Sequence, residues 1–441
     1  MILSKWFSIS LAEEITLLIV IVACILWITE IIPLFVTSLL ILLMELIFLL
    51  PVLQEINPGI KSEYFLSPFF SDTVLLFLGG FVISAGFHSY DLDKIFAQYI
   101  VSKNSSSPRR LLFALIFTSA FLSLWMNNTA TAALMIGLSL PIMNRFPKES
   151  GWPKAILLAI PFACNIGGMG TPVGTLPNAI AIEYLNAKNI APSFLEWMFF
   201  SIPIILVLNI ILGYLLSWFF CRNETENYDL NLEKIHFEPF RFLSNRNIVL
   251  LVSCLTILGW LTSEWHGLSN GTVALIPVLV LFGTKILTIQ EFRHLPWDVL
   301  VLMGGGISMG RAIDASGLAR NLLETIPIQD GSVFMVVVIF SLITLVLSSV
   351  MSNTSTANLM IPLALGLSLT EAPAVVIFVA LAASVSMALP ISTPPNAIAF
   401  GYGRLKAKEM SVPGIIITLL GWLGILTIGY GIMKFMGVGN L

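Results

Sequence analysis

The chain has 441 residues, 57 % of them hydrophobic and only 11 % charged, with a net charge of -3. An ordinary soluble domain carries about 25 % charged residues, so this composition excludes a soluble globular protein, a disordered chain and a nucleic-acid binder. A bilayer-spanning helix needs about 20 apolar residues, and the length accommodates roughly ten to twelve of them. The expectation is an all-α polytopic protein of the cell (inner) membrane, with the lipid bilayer as its main partner.

Residues 1–14 carry one lysine and two glutamates before the first apolar run. No small-residue cleavage site follows, so they read as an interfacial lead-in rather than a signal peptide. Apolar runs near 15–32, 34–52 and 73–92 predict three helices within 15–92. Next come two short runs, 111–126 and 130–143, split only by Asn127, Asn128 and Thr129. A polar break without a loop predicts a re-entrant hairpin over 109–143, because such backbone is tolerated only beside protein or a water-filled cavity. A broken helix over 153–189 and a helix over 198–220 complete the first half, and 221–246 is a polar cytoplasmic linker. The order then repeats within 247–441: helices over 247–320, a hairpin over 331–369 broken at Ser352, Asn353 and Thr354, a broken helix over 373–408, and a helix over 412–437.

The halves also match in letters. Asn128–Met135 reads NTATAALM and Asn353–Met360, 225 positions later, reads NTSTANLM. The same offset pairs Gly79–Gly80 with Gly304–Gly305 and Ser123 with Ser348, while PNAIA at 177–181 returns at 395–399. Each repeat (15–220 and 247–441) has five crossings and one hairpin, so the second half must run inverted, giving ten transmembrane helices and two hairpins. Charge agrees: 16 of the 22 Lys and Arg fall in segments that this topology puts inside, among them Lys103, Arg109, Arg110 and Lys148, as the positive-inside rule requires. Met1, Lys5 and Arg320 fall outside, and Glu324, Asp330 and Glu371 flank the external mouth of the second hairpin. Inverted repeats with broken helices are the pattern of a secondary transporter with its site at mid-membrane.

Asn and Thr at the tips are N-caps for the returning arms, whose positive ends then favour an anion without any lysine or arginine. The competing reading is that these polar groups only glue helices together. The loops 168–181 and 388–400 break their helices with Gly, Pro and Thr and free backbone carbonyls. A hard cation wants such oxygens. Ser123, Asn127, Asn128 and Gly174 offer one set, and Ser348, Met351, Asn353 and Ser392 another.

WITEIIP (27–33), FLGGF (77–81), SLWMNNTATAALM (123–135), GTLPNAIA (174–181), MGGGIS (303–308), SNTSTANLMIP (352–362) and STPPNAIAF (392–400) resemble the divalent anion/sodium symporter family of INDY-type dicarboxylate, citrate and sulfate carriers. The resemblance covers about 15–437. It implies a homodimer in which a fixed scaffold (15–92 and 247–320) holds a transport domain that moves as an elevator. It implies a small dianionic substrate at Asn127, Asn128, Thr129 and Thr175, and at Ser352, Asn353, Thr354, Thr393 and Pro394. One sodium ion (Na+) would sit with Ser123, Asn127, Asn128 and Gly174, the other with Ser348, Met351, Asn353 and Ser392. The chain departs from the family at Asn127, where Ser is usual, and at Thr175–Leu176, where Ser-Pro is common.

Other polar residues carry plainer expectations. His88, His236, His266 and His294 are scattered, with no HExxH. Cys24, Cys164, Cys221 and Cys254 form no CxxC and read as small buried hydrophobes. Glu30 reads as a cap and Arg311 as a residue snorkelling from a span end. The reading is therefore a transporter, not an enzyme, with sodium as coupling ion and no organic cofactor. It imports a C4-dicarboxylate such as succinate, malate or fumarate. The rivals are a sodium-independent exchanger, a sulfate or citrate symporter on the same fold, and an anion channel.

Overall fold

The computed structural model describes residues 10–104, 107–147, 149–222, 224, 244–319, 321, 333–365 and 372–437. Most of the lead-in and linker, and Lys5, Lys148, His236, Arg320, Glu324, Asp330 and Glu371, lie outside them. Among the described residues every regular element is helical.

The first three helices are α1 (Leu11–Thr29), α2 (Leu34–Ile56) and α3 (Asp72–Ser89). A capping box starts α1, with Ser10 Oγ accepting from Glu13 N and Glu13 Oε2 accepting from Ser10 N. Glu30 closes it in the left-handed region (φ 49°) ahead of Pro33, so its role is a cap. A π-turn at Glu45–Leu49 interrupts α2. The segment after α3, notable in sequence only for its charge, opens with an amphipathic helix, α4 (Leu92–Lys103), whose Asp93, Ala97 and Val101 are buried at a spacing of four.

The first hairpin is α5 (Pro108–Ser123) and α6 (Asn128–Met143). Then come α7 (Trp152–Gly168), α8 (Leu176–Ala187) and α9 (Phe194–Cys221). The second half holds α10 (Asn245–Leu261), α11 (Asn270–Gly283) and α12 (Trp297–Ser316). Its hairpin is α13 (Val333–Val350) and α14 (Asn353–Leu365), followed by α15 (Ala372–Val385), α16 (Pro394–Gly401) and α17 (Ala407–Met436).

Among the described residues, five segments are long and apolar enough to cross a bilayer: α1, α2, Glu63–Ser89, α9 and α17. Most of the remaining apolar helices are shorter, as broken spans would be. Exposed side chains such as Leu18, Ile25, Leu43, Ile47, Leu255 and Leu279 cover the outer faces of α1, α2, α10 and α11. This is a polytopic membrane protein whose outer surface is dissolved in lipid. Cys164 and Cys221 are buried, Cys24 is half-buried and Cys254 is exposed on that outer surface; all four are free thiols.

Two packing rules repeat across the halves. The second helix of each half crosses the third helix of the other: α2 packs on α12 and α11 on α3. Glycine permits both crossings. A Cβ on Gly79 would overlap the Ala274 backbone, and one on Gly305 would overlap Ser38. In each half the helix after the hairpin wedges between its arms, α7 against α5 and α6, and α15 against α13 and α14. Ala155–Ala163 and Ala374–Ala383 of these wedges are apolar and solvent-free on every side. Arg311 lies five residues before the end of α12 and reaches the exposed Ser67. It sits within α12, where its Nη1 donates to Tyr64 O (2.8 Å) and Ser67 Oγ (2.7 Å), holding the turn before α3.

Candidate functional site

The first hairpin breaks between Ser123 and Asn128. Asn127 is the N-cap of α6, and its Oδ1 accepts from Thr129 N (2.8 Å) and Ala130 N (3.3 Å). Ser123, wholly buried, places its Oγ 2.5 Å from Asn128 Oδ1 and 2.9 Å from the Cys164 carbonyl of α7. The end of α7 completes the cluster. A Cβ on Gly168 would lie 2.7 Å from both terminal atoms of Asn128 and 3.0 Å from the Gly174 carbonyl. A Cβ on Gly174 would overlap the Gly168 carbonyl. Two glycines are thus what lets the loop backbone approach the hairpin tip.

The second hairpin builds the same object. Ser348 Oγ lies 2.8 Å from Asn353 Oδ1 and 2.9 Å from the Ala383 carbonyl of α15. Met351 is buried at the break, with its N–H bonded to Leu347 O, and the Ser352 carbonyl accepts from Thr356 N in the first turn of α14. Ser349 and Ser386 hydroxyls meet at 2.9 Å, joining the tip to the end of α15.

Each Pro-Asn loop is held by its own asparagine. Asn178 Nδ2 lies 3.2, 3.2 and 2.8 Å from the carbonyls of Gly168, Met169 and Thr171. Asn396 Nδ2 lies 3.1 and 3.0 Å from those of Met387 and Leu389, and 3.4 Å from Ser392 Oγ. Thr175 and Thr393 are the N-caps of α8 and α16; Thr393 Oγ1 accepts from Asn396 N, whereas Thr175 makes no side-chain cap. Pro394 is exposed at the start of α16. Thr129, Ser352 and Thr354 occupy the tips beside these clusters. Four helix N-termini, of α6, α14, α8 and α16, therefore belong to one assembly. The α16 helix packs on α6 and α7, and α8 packs on α14.

One residue that sequence reasoning missed ties the halves together. Asn165, 2 % exposed on α7, donates to Thr393 Oγ1 (3.0 Å) and sits 3.4 Å from Asn396 Oδ1. It is one position from Cys164, so a polar chain runs from the first tip to the second loop. Its only sequence signal is a lone amide in an apolar run. Thr131 and Thr356, also 225 apart, are both buried with hydroxyls unpartnered among the described residues. Asn178 supplies a direct stability test. Asn178→Ala removes the donor for the carbonyls that shape the loop, at about 1–3 kcal/mol for buried groups left unpaired. The expected result is a lower unfolding midpoint in detergent.

The family model described as citrate transporter matches residues 24–383. The sodium-dependent dicarboxylate transporter SdcS of Staphylococcus saprophyticus is 30% identical over 92% of this chain and 83% of its own length. The inorganic phosphate transporter PHO87 of Saccharomyces cerevisiae is 30% identical over 94% of this chain but 46% of its own. An uncharacterized transporter of Schizosaccharomyces pombe is 31% identical over 96% and 50%. The chain thus spans about half the length of these two yeast relatives. Two solved structures share the fold. The Alcanivorax borkumensis YdaH transporter has a TM-score of 0.57 at 14% identity, covering 85% of this chain and 88% of its own. Neisseria gonorrhoeae MtrF has a TM-score of 0.52 at 11% identity, covering 82% of each.

Proposed function

We propose a transport function from one premise: the chain belongs to the divalent anion/sodium symporter family, whose citrate-transporter model matches residues 24–383. It is a secondary transporter of the dicarboxylate and citrate type in the cell (inner) membrane. In our reading it imports a C4-dicarboxylate such as succinate, malate or fumarate by sodium symport. The scaffold (15–92 and 247–320) is fixed and dimeric, and the two hairpins with α7, α8, α15 and α16 move between membrane faces as an elevator.

The observation that carries this reading is the duplicated oxygen cluster. In each half a serine hydroxyl sits within 2.9 Å of both an asparagine Oδ1 and a backbone carbonyl. Hydroxyl, amide and carbonyl oxygens gathered this closely in each half are the kind of donor set a hard cation takes. A sodium ion held among them is the reading they support. We assign one ion to Ser123, Asn127, Asn128 and Gly174, and the second to Ser348, Met351, Asn353 and Ser392. Neither tip contains a lysine or arginine, so bound sodium and the helix N-termini supply the positive potential that a dianion needs. The substrate then lies between the tips, met by Asn127, Asn128, Thr129 and Thr175 on one side and by Ser352, Asn353, Thr354, Thr393 and Pro394 on the other. Binding order follows: without sodium the oxygens repel a carboxylate, so ions load first.

A second reading has one observation in its favour. Asn127 Oδ1 is committed to capping α6, which withdraws a side-chain oxygen from the first ion set and favours a sodium-independent exchanger. Proteoliposomes separate the two. An inward sodium gradient is expected to drive uptake of radiolabelled succinate into empty vesicles, and replacing sodium by potassium to abolish it. Uptake that ignores sodium but requires internal succinate would establish the exchanger. Competition by citrate, sulfate and phosphate then ranks the anions.

A further inference from the structure

Away from the hairpin tips, α4, α5 and α9 enclose a groove of about 760 Å³. Its walls are aromatic: Phe96 from α4, Phe113, Phe117 and Phe121 from α5, and Tyr214 from α9. Its open side faces outward, with Phe117 36 %, Phe121 49 % and Tyr214 54 % exposed. One end is basic. Arg109 and Arg110 line it, and the Arg109 guanidinium lies 5.1 Å from the Tyr214 ring centroid. Among the described residues no side chain caps α5 at Ser107, so the positive end of that helix opens at the same place. No carboxylate lines the groove among the described residues.

We propose that this groove binds an anionic phospholipid, with one acyl chain along the aromatic wall and the phosphate on Arg109 and Arg110. Length supports a lipid. From Arg109 to Phe121 the helix rises about 18 Å at 1.5 Å per residue, against about 15 Å for half of a 30 Å hydrocarbon core. The groove therefore runs the depth of one leaflet, with its charge where a headgroup lies. Chemistry supports an anionic one. Two arginines and a positive helix end at one place favour a phosphate headgroup with net negative charge. The reading also explains why aromatic rings stand exposed beside arginines on this face: it is a lipid seat, not a bare surface. Because α5 is the outer arm of the first hairpin, the bound lipid would travel with, or restrain, the element that carries Ser123.

Native mass spectrometry of the delipidated protein tests this, with phosphatidylglycerol and phosphatidylcholine of matched acyl chains as probes. Wild type is expected to retain phosphatidylglycerol roughly twenty-five-fold better, at about fivefold per basic residue near a membrane surface. Arg109→Gln with Arg110→Gln should abolish the preference, whereas Arg109→Lys with Arg110→Lys should keep most of it. Ala114→Phe, which fills the groove without touching charge, should lower retention of both lipids. Equal retention of the two lipids by wild type would overturn the proposal, as would full preference in the glutamine pair. Displacement of the lipid by inorganic phosphate alone would also overturn it, since the site would then recognise an anion rather than a lipid. A dimer signal that only Ala114→Phe removes would do the same, by assigning the groove to a second copy.

Discussion

Asn353→Ala is expected to abolish succinate uptake, and Asn128→Ala to do the same, with both proteins folding and inserting normally. Each asparagine begins a returning hairpin arm and lies beside a buried serine, Ser348 or Ser123. In the proposed site each touches a sodium ion and the substrate. Hydrogen bonds to charged groups are worth about 1.5–3 kcal/mol each, so losing two contacts costs at least a hundredfold in binding. The fold has little stake in either side chain, because both are half-buried and the helix behind each is held by α7 or α15. The check is uptake in proteoliposomes together with an unfolding midpoint in detergent. Wild-type uptake in both variants would remove the site from the hairpin tips. A collapsed midpoint would make the loss structural. Ser123→Ala and Ser348→Ala separate the ion from the anion: each should raise the sodium concentration needed for half-maximal uptake more than it raises the succinate concentration.

The helix breaks were legible in sequence because they are local. A triplet such as Ser352, Asn353 and Thr354 between apolar runs can only be a break, and its recurrence 225 residues away fixed which pieces correspond. The wedge helices were legible as apolar runs, but not their enclosure, since a buried span and a lipid-facing span use the same residues. What sequence could not supply was anything set by which helix meets which. Asn165 is a single amide whose partner, Thr393, lies 228 positions away. Arg311 reads as a span-end residue, but its partners in the turn at Tyr64 and Ser67 lie more than 240 positions away. The three buried residues of α4, Asp93, Ala97 and Val101, are too few and too mixed with charge to announce an interfacial helix. The glycines of α12 are legible as a cluster, but their purpose is tertiary.

That purpose leads to the second large effect. Gly306 and Gly310 are four apart, on one face of α12. A Cβ on Gly306 would overlap the Asn358 amide of α14, and one on Gly310 would overlap the Tyr184 hydroxyl of α8. Tyr184 Oη also donates to the Gly306 carbonyl at 3.0 Å. Both incoming side chains belong to the part assigned to the moving domain, whereas α12 belongs to the scaffold. If the elevator reading is right, this contact exists in only one of the end states. Gly310→Ala then adds an overpacking cost of about 1–3 kcal/mol to that state alone. The equilibrium between states shifts by roughly 5- to 150-fold, and uptake, which must visit both, falls in step. Sodium and succinate binding in detergent should survive, because no ligand of the proposed site is altered. Uptake lost with binding retained is therefore the expected result, in contrast to Asn353→Ala, where both go. Wild-type uptake would mean that α12 and α8 do not close this tightly during transport. Loss of binding together with uptake would place Gly310 under the substrate site, and the boundary between fixed and moving parts would have to be redrawn.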